Sequence, residues 1–395
     1  MHTENNINPW GILTGIRPVK IAAKLIGEGK SESEVVSHFT GEYKTLPDRA
    51  RLAYYLAKVE KKAEEGMFKN GVSLYVGIPF CPTRCLYCSF ISNSIKNSGK
   101  YVEEYLNCLI KEIEYTAQII KEKNKSVETV YIGGGTPTTL EAAQLDRLFY
   151  ALFESFDLSR IKEFTVEGGR PDTITKEKLE TVKKYNIGRI SINPQTMNEK
   201  TLKVIGRNHT PEDIVRAYET AKECGIEAVN MDVIAGLPGE SFEDFCYTLS
   251  EVEKLSPENT TVHTMCIKRS SRLKEQLDTY NLSEGETVSK MVGYSKSFLK
   301  ENGKAPYYLY RQKNMLGNLE NIGYSKPGFE SLYNIYIMEE MQSIISMGCG
   351  GVTKTVDRNK NQIERIFNVK EPKEYIERFE EMLKRKDALK DGLVF

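Results

Sequence analysis

The chain has 395 residues, enough for one large domain with appendages or for two domains of ordinary size. Its 55 basic and 55 acidic residues cancel, so no global field favours nucleic acid or an anionic membrane as a partner. No run approaches the roughly 20 apolar residues of a membrane span, and the first six residues carry no targeting pattern. We therefore expect a cytoplasmic protein that neither spans a membrane nor binds nucleic acid.

The first part of the chain differs from the rest in composition. Residues 1–68 are rich in charge and favour helices, the clearest of which includes residues 51–57. We predict a separate helical N-terminal segment over residues 1–68.

From about Gly71 onward, short β-rich runs alternate with longer helical runs, which predicts a parallel sheet with crossover helices. The run at residues 101–122 carries apolar side chains at helical spacing and should pack on the sheet. The interpretation that needs the fewest assumptions is six βα units over residues 69–302, which close or nearly close into a partial (β/α)6 barrel. Functional side chains of such barrels gather at the carboxyl ends of the strands. The predicted strands lie near residues 72–78, 129–133, 163–167, 188–193, 228–234 and 260–267.

Three cysteines follow the first predicted strand in the run Cys81-Pro82-Thr83-Arg84-Cys85-Leu86-Tyr87-Cys88. Three thiolates can hold a 4Fe-4S cluster and leave one iron open to bind another molecule. A cluster that only carries electrons usually has all of its irons bound by cysteine. The spacing therefore favours an open-site iron-sulfur cluster in a loop that leaves a strand.

Other uses of these cysteines fit the sequence less well. Zinc sites prefer paired Cys-x-x-Cys or Cys/His knuckles, and no second knuckle follows. A redox dithiol would need only two of the three thiols. Disulfides are disfavoured because no apolar signal segment is present and the other five cysteines are scattered singly, at Cys108, Cys224, Cys246, Cys266 and Cys349.

A glycine-rich turn, Gly133-Gly134-Gly135-Thr136-Pro137-Thr138, follows the second predicted strand. Glycine lets the backbone turn sharply and approach a ligand that a Cβ would exclude. A phosphate loop is disfavoured because the Gly-Lys-Ser/Thr ending is missing. By itself, the turn is equally well an ordinary βα loop.

Single polar residues lie at the ends of later strands, at Glu167, Gln195 and Asp232. A carboxylate inside an apolar β-run is costly to bury without partners, so Asp232 is either satisfied by neighbouring groups or faces a ligand. Its place at a barrel strand end favours the ligand. Arg207 is either a bidentate clamp for a carboxylate or a solvated surface residue.

After about Glu301 the pattern changes again, and we predict a smaller C-terminal domain over residues 303–395. It should contain a Tyr-rich strand at 307–310, then a loop with Gly317, Gly323 and Pro327-Gly328, and a helix around residues 333–345.

Three motifs occur in an order that resembles the radical S-adenosylmethionine (SAM) enzymes. They are the Cys81 to Cys88 run with an aromatic residue before its last cysteine, then the Gly133 turn, and then the segment from Asp232 to Gly239. More narrowly, they resemble the oxygen-independent coproporphyrinogen III oxidase family. The segments at residues 9–18, 307–315 and 317–321 resemble its HemZ-type coproporphyrinogen dehydrogenase branch, so the resemblance covers nearly the whole chain.

The resemblance implies roles for individual residues. The cluster would be held by Cys81, Cys85 and Cys88, and its open iron would take the amino and carboxylate groups of SAM. One SAM is implied, and a subset of the family uses a second. The remaining SAM contacts would come from residues that match family positions, namely Tyr75, Tyr87, Gly134, Gly135, Thr136, Glu167, Gln195, Arg207, Asp232 and Ile234, with Cys266 as a small neighbour.

The chemistry implied by the resemblance is radical chemistry. A reduced cluster would cleave SAM and release a 5'-deoxyadenosyl radical, which takes hydrogen from the β-carbon of a propionate. Carbon dioxide would then leave, an electron would pass to an acceptor, and a vinyl group would remain. Two rounds would convert coproporphyrinogen III to protoporphyrinogen IX in anaerobic haem biosynthesis. The abstraction needs no protein acid, base or nucleophile, so no catalytic side chain is implied. A donor such as flavodoxin or ferredoxin would reduce the cluster.

A substrate with four carboxylates implies a cationic rim despite the neutral overall charge. Each candidate alone is equally well part of a solvated basic face. The candidates are Lys268, Arg269, Arg311 and Lys313, with Arg272 and Lys326 as further ones.

Two other functions of the same family stay open. Haem chaperones of this family carry a His-Asn-x-x-Tyr-Trp motif, whereas the comparable run here is Tyr333-Asn334-Ile335-Tyr336-Ile337-Met338, without the His or the Trp. A SAM-dependent enzyme that modifies haem would share the cluster loop and the barrel.

Overall fold

A computed structural model describes residues 8–13, 17–90, 93–268, 270–276, 279–280, 282–358, 360 and 362–390. Its helices are α1 Pro18–Gly27, α2 Glu32–Glu42, α3 Pro47–Glu65, α4 Ile95–Ser98, α5 Val102–Glu122, α6 Ala142–Ser155, α7 Lys176–Lys184, α8 Glu199–Val204, α9 Pro211–Glu223, α10 Phe242–Leu255, α11 Arg272–Glu275, α12 Gly285–Glu301, α13 Leu332–Glu339, α14 Pro372–Glu377 and α15 Phe379–Lys386.

The strands include all six that the sequence pattern predicts, with ends that differ by up to three residues. They are β1 Gly71–Ile78, β2 Phe80–Cys81, β3 Asn93–Ser94, β4 Ser126–Gly134, β5 Glu163–Glu167, β6 Arg189–Ser191, β7 Ala228–Ala235, β8 Asn259–Thr264, β9 Ala305–Tyr310, β10 Asn321–Ser325, β11 Ile344–Met347, β12 Val352–Asp357 and β13 Gln362–Phe367.

Eleven strands form one sheet in the order β13-β12-β11-β1-β4-β5-β6-β7-β8-β10-β9. The six predicted strands, β1, β4, β5, β6, β7 and β8, are parallel neighbours, as the alternation of strands and helices predicts. After residue 303 the chain adds strands at both ends of this parallel group. At one end β10 pairs antiparallel with β8, and β9 pairs antiparallel with β10. At the other end β11 pairs parallel with β1, and β12 and β13 follow in antiparallel orientation. The C-terminal strands thus continue the sheet, and the boundaries of the three predicted domains stay a prediction.

The two faces of the parallel strands differ because successive side chains point to opposite sides. Residues such as Leu74, Val130 and Met231 are fully buried in the hydrophobic core. Many intervening positions carry polar side chains on the other face. Several of these are hydrogen-bonded across strands, as in Thr129 to Ser73 (2.7 Å), Asn230 to Ser191 (3.2 Å) and Thr261 to Asn230 (3.1 Å).

The N-terminal segment is helical, as predicted, and it is joined to the region that precedes β10. The buried carboxylate of Glu320 accepts from the Trp10 indole (2.6 Å) and pairs with Arg49 (2.8 Å). Removing one partner of such a buried pair leaves an uncompensated charge, so this contact fixes the position of the segment.

Two C-terminal predictions are wrong. The helix predicted around residues 333–345 ends at Glu339, because Glu340 adopts a left-handed conformation (φ 55°) and residues 344–347 pair with β1 as strand β11. Gly323, predicted in a loop, lies inside β10. A Cβ there would lie 1.9 Å from the ring of Tyr308, so this glycine makes room for a neighbouring side chain instead of ending a strand.

None of the helices in the described ranges combines the length and the apolar character needed to cross a membrane.

Candidate functional site

The cysteine run forms the loop that leaves β1 and the short strand β2. Cys85 is buried, Cys81 and Cys88 are partly buried, and none of the three is joined in a disulfide bond. All three line one cavity at the carboxyl ends of the parallel strands. No three His, Cys, Asp or Glu side chains of the described residues are grouped to hold a single metal ion. The thiolates of a cubane cluster bind separate irons, so they need not meet at one point.

Two arginines set the electrostatics of Cys85. Burial opposes ionisation of this thiol, but Arg207 and Arg170 together lower its pKa below the ordinary value. The Arg170 guanidinium lies 3.8 Å from the Cys85 sulfur and is itself held by Asp172 (2.8 Å). Burial raises the pKa of Cys88 to about 11. The loop therefore offers one thiol that is prepared to act as a thiolate, the form that binds iron.

The glycine turn packs against the cysteine loop through its backbone. The Gly135 N–H donates to the Ile78 carbonyl and the Thr136 N–H to the Phe80 carbonyl, each at 2.7 Å. A Cβ at Gly135 would lie 2.5 Å from that Phe80 oxygen. The Thr136 hydroxyl lies 3.3 Å from the sulfur of Cys81. Glycine is required here because the turn must lie directly against the strand that carries the first cysteine.

Gln195 is held in an unusual conformation beside Asp232. Its φ is 66°, its N–H donates to the Asp232 carbonyl (2.9 Å), and its own carbonyl accepts from Ile234 (3.0 Å). Its side-chain Oε1 is buried and has no hydrogen-bond partner among the described residues. The backbone of Gln195 is therefore strained, and its buried acceptor is one that the donor of a ligand would satisfy.

Glu167 and Asp232 differ in their protonation. Burial, with repulsion from Asp232, raises the pKa of Glu167 to about 8. Burial also opposes ionisation of Asp232, but His263, whose Nε2 lies 3.4 Å away, brings the pKa of Asp232 below its usual value. Near neutral pH the cavity therefore presents one protonated carboxyl group, which can donate, and one carboxylate, which only accepts.

We expect Glu167→Gln to reduce the pH dependence of stability. The raised pKa means that the native state binds more protons than the unfolded chain between about pH 4.5 and 8, so wild-type stability should fall as pH rises through this window. The loss should approach about 1.4 kcal/mol per pH unit. Urea unfolding at several pH values tests this, with the exposed Glu177→Gln variant as control. Parallel curves for Glu167→Gln and wild type would contradict the raised pKa.

Arg207 is buried, so the surface alternative for it is not observed. One terminal nitrogen donates to the Asn193 carbonyl and the other to the Tyr87 hydroxyl (3.3 Å), while Nε is buried without a partner among the described residues. A bidentate clamp on a carboxylate would therefore require one of the existing bonds to be exchanged.

Most of the predicted residues line the same cavity, which encloses about 1680 Å³ together with its open mouth. Tyr75 is not part of the lining and stacks on the lining residue Tyr131, with ring centroids 6.3 Å apart. The predicted residues that the structure brings together there are Cys81, Cys85, Cys88, Tyr87, Gly134, Gly135, Thr136, Glu167, Gln195, Arg207, Asp232, Ile234, Cys266 and Lys268.

The basic residues that are predicted to bind the substrate lie in different surroundings. Lys268 lines the cavity and donates to Gln312. Arg311 is not in the lining; it donates to the carbonyls of Leu13 (2.6 Å) and Asn318 (3.0 Å), and burial lowers its pKa to about 10. Lys313, also not in the lining, uses its carbonyl to accept from Cys266 (3.1 Å). Arg269 lies outside the described residues.

Neither of the two further candidates is in the cavity lining. Arg272 begins α11, and the Lys326 ammonium donates to the Ser256 carbonyl (2.7 Å).

The sequence reasoning missed several lining residues, among them Arg170, His263, Tyr308 and Tyr310. His263 lies two positions after Thr261 on a predicted strand, and Tyr310 two positions after Tyr308 on another. The period of two along these strands is the signal that could have placed them on the cavity face.

Comparisons with known proteins identify related sequences and a related fold. The model of the Radical SAM superfamily matches residues 75–252. Over 374 residues the chain is 46% identical to the oxygen-independent coproporphyrinogen-III oxidase-like protein HemZ of Bacillus subtilis, covering 94% of this chain and 75% of that protein. It is 31% identical over 296 residues to the heme chaperone HemW of the same organism, covering 72% and 73%.

Among solved structures, the coproporphyrinogen III oxidase HemN from Escherichia coli is similar with a TM-score of 0.64 and 22% identity. The match covers 83% of this chain and 73% of that one, and it shows a shared fold.

Proposed function

Because the chain belongs to the oxygen-independent coproporphyrinogen-III oxidase-like family of radical SAM proteins, we propose that it decarboxylates two propionates of coproporphyrinogen III oxidatively to vinyl groups. The product would be protoporphyrinogen IX. The observation that supports this most directly is the single cavity in which the three cysteines, the glycine turn and the polar strand ends meet. A donor such as flavodoxin or ferredoxin would reduce the cluster.

The residues present fit a 4Fe-4S cluster and SAM. Cys81, Cys85 and Cys88 would hold the cluster. The buried and unpartnered Oε1 of Gln195 and Nε of Arg207 supply an acceptor and a donor, which suit hydroxyl and carboxylate groups of SAM. Bound together, the reduced cluster and SAM supply a carbon-centred radical that can take hydrogen from a propionate.

The protein would contribute position and exclusion of water. Asp232 would accept from a ribose hydroxyl, since it remains ionised, and Glu167 would donate or accept as a neutral acid. Ile234, almost fully buried, would pack on the adenine. One SAM is proposed at these residues.

A haem chaperone is the second candidate, because relatives named heme chaperone HemW are 31–32% identical to this chain. The helix α13 carries Tyr333 and Met338 where the chaperone motif of the resembled family has His and Trp. This difference favours the enzyme.

Anaerobic turnover of coproporphyrinogen III with SAM and a reductant, followed by product analysis, tests the proposal. We expect the monovinyl intermediate and then protoporphyrinogen IX. If neither forms while SAM is cleaved, the substrate assignment is wrong although the radical class is retained. A stable Soret band after mixing with hemin, without turnover, would support the chaperone.

A further inference from the structure

Three polar side chains on three strands form a line of contacts inside the cavity. The carboxylate of Asp232 on β7 lies 3.4 Å from Nε2 of His263 on β8. Nδ1 of His263 lies 3.2 Å from the hydroxyl of Tyr310 on β9. All three residues line the cavity that also holds the cysteines.

The carboxylate at one end fixes the direction of the first hydrogen bond, and a neutral imidazole then fixes the second. An ionised Asp232 can only accept, so Nε2 of His263 carries the hydrogen that faces it. In the neutral tautomer Nδ1 then accepts, and the Tyr310 hydroxyl donates its hydrogen to this nitrogen. The Tyr310 oxygen is left with lone pairs and no hydrogen of its own to offer. It therefore faces the cavity as an acceptor.

An aromatic wall of two parallel rings, those of Tyr308 and Tyr310, lies beside this acceptor. The rings of Tyr308 and Tyr310 are parallel within 5°, with centroids 6.2 Å apart. They lie on the same face because they are two residues apart on β9, and Gly323 on the neighbouring strand β10 leaves room for the Tyr308 ring. Any Cβ at Gly323 would clash with the Tyr308 ring. A flat or shallow ring system of several pyrroles is the kind of ligand that such a wall accommodates.

We propose that Tyr310, positioned by His263 and Asp232, accepts a hydrogen bond from a pyrrole N–H and so selects a metal-free, reduced tetrapyrrole over haem. This inference rests on the proposed function, since it concerns the substrate of that same cavity. A porphyrinogen carries a hydrogen on each of its four pyrrole nitrogens, and its ring is puckered so that N–H groups reach one face. In haem all four nitrogens bind iron and offer no hydrogen. A fixed acceptor therefore distinguishes the two ligands, because a site built to pair with a donor discriminates against a ligand without one.

Equilibrium binding tests this without turnover. Full-length protein is mixed anaerobically with coproporphyrinogen III, without SAM or reductant, and the bound and free ligand are separated by ultrafiltration. The bound fraction is then oxidised to the fluorescent porphyrin and measured, which gives the dissociation constant for coproporphyrinogen III. Titration with hemin gives the other from its absorbance. Tyr310→Phe should weaken coproporphyrinogen binding roughly three- to tenfold, as expected for one lost hydrogen bond, and leave hemin binding within twofold.

Tyr308→Phe is the matched control, since it also removes a hydroxyl from the wall but lies outside the Asp232 to Tyr310 line. It should leave the ratio of the two dissociation constants unchanged. His263→Leu should lower the preference for coproporphyrinogen over hemin by a smaller factor than Tyr310→Phe does, since the Tyr310 hydroxyl stays but is no longer oriented. A merely structural role for His263 would weaken both ligands equally.

The outcomes separate this inference from the proposed function. Equal losses for coproporphyrinogen and hemin in Tyr310→Phe, or no loss for either, would overturn the role of Tyr310 even if turnover is observed. Absence of coproporphyrinogen binding to the wild type would also overturn it. A selective loss in a protein that fails to turn over would support the recognition and leave only the reaction wrong.

Discussion

Replacing Cys81, Cys85 and Cys88 together with alanine should leave the protein without iron-sulfur absorbance and without SAM cleavage. Each thiolate of the proposed site binds a different iron, and none of the other described cysteines lines the cavity apart from Cys266. SAM cleavage needs an electron from the cluster, so activity should fall to the background of the assay. Iron and sulfide content, the absorbance near 400 nm and 5'-deoxyadenosine release under reducing, oxygen-free conditions measure the effect.

Cysteines elsewhere in the fold supply the control. Cys224 and Cys246 are free, partly exposed and not in the cavity lining, so Cys224→Ala and Cys246→Ala should keep the cluster and SAM cleavage. A triple variant that retains four irons per chain would show that the cluster is held elsewhere. Stoichiometric zinc in oxygen-free wild-type protein would show that the loop is a different kind of metal site.

The parallel part of the sheet could be predicted because its signal is local. In β1, Ser73 and Tyr75 alternate with Leu74 and Val76, and the same period of two recurs in β4 and β7. Apolar residues at alternate positions require one buried face, so the polar residues between them must share the other. Glu167 and Asp232 could therefore be assigned to a common edge.

The C-terminal strands could not be placed in the same way. Residues 344–347 are apolar and short, so periodicity alone does not separate a buried strand from the end of a helix. Their pairing with β1 is a contact across more than 260 residues, which no local pattern encodes. The place of Gly323 within a strand is hidden for a related reason, since the need for glycine there depends on Tyr308 of a neighbouring strand.

The same limit explains which site residues were missed. His263 and Tyr310 meet only because β10 lies between β8 and β9, and strand order at a sheet end is not evident from the sequence. Arg311 is the opposite case, a residue that is predicted to bind the substrate but does not line the cavity. Its charge predicted a substrate contact, yet its guanidinium hydrogen-bonds to backbone carbonyls and lies 5.2 Å from the centre of the Trp10 ring. Charge in a sequence does not show whether an arginine faces a cavity or another part of the chain.

Glu112→Ala should be among the most destabilising single substitutions in this fold. Glu112 lies on α5 with its side chain fully buried, and it pairs with the buried ammonium of Lys386 on α15 (3.4 Å). It also accepts from the Gly348 N–H (2.8 Å), from Asn368 (2.8 Å) and from the Tyr375 hydroxyl. Removing the carboxylate leaves a buried cation without its counter-ion, which typically costs about 3–5 kcal/mol.

The destabilisation should extend to the cysteine loop, because the same group of buried contacts supports the end of β1. The Tyr105 hydroxyl donates to the carbonyl of Gly77 (2.6 Å) and accepts from the Cys349 N–H (2.9 Å), next to the Gly348 that Glu112 holds. Gly77 lies four residues before Cys81. We therefore expect Glu112→Ala to lower both the denaturant midpoint and the amount of cluster retained after reconstitution.

A double variant separates the buried charge from the lost hydrogen bonds. Lys386→Met removes the cation and leaves Glu112 with its three neutral donors, so it should cost less than Glu112→Ala. If the unpaired ammonium dominates, Glu112→Ala combined with Lys386→Met should be more stable than Glu112→Ala alone, since the second change removes the charge that the first leaves unpaired. Additive losses would show instead that the three neutral hydrogen bonds carry the effect. The exposed Glu114→Ala on the same helix controls for changes in helix propensity, and it should shift the denaturant midpoint little.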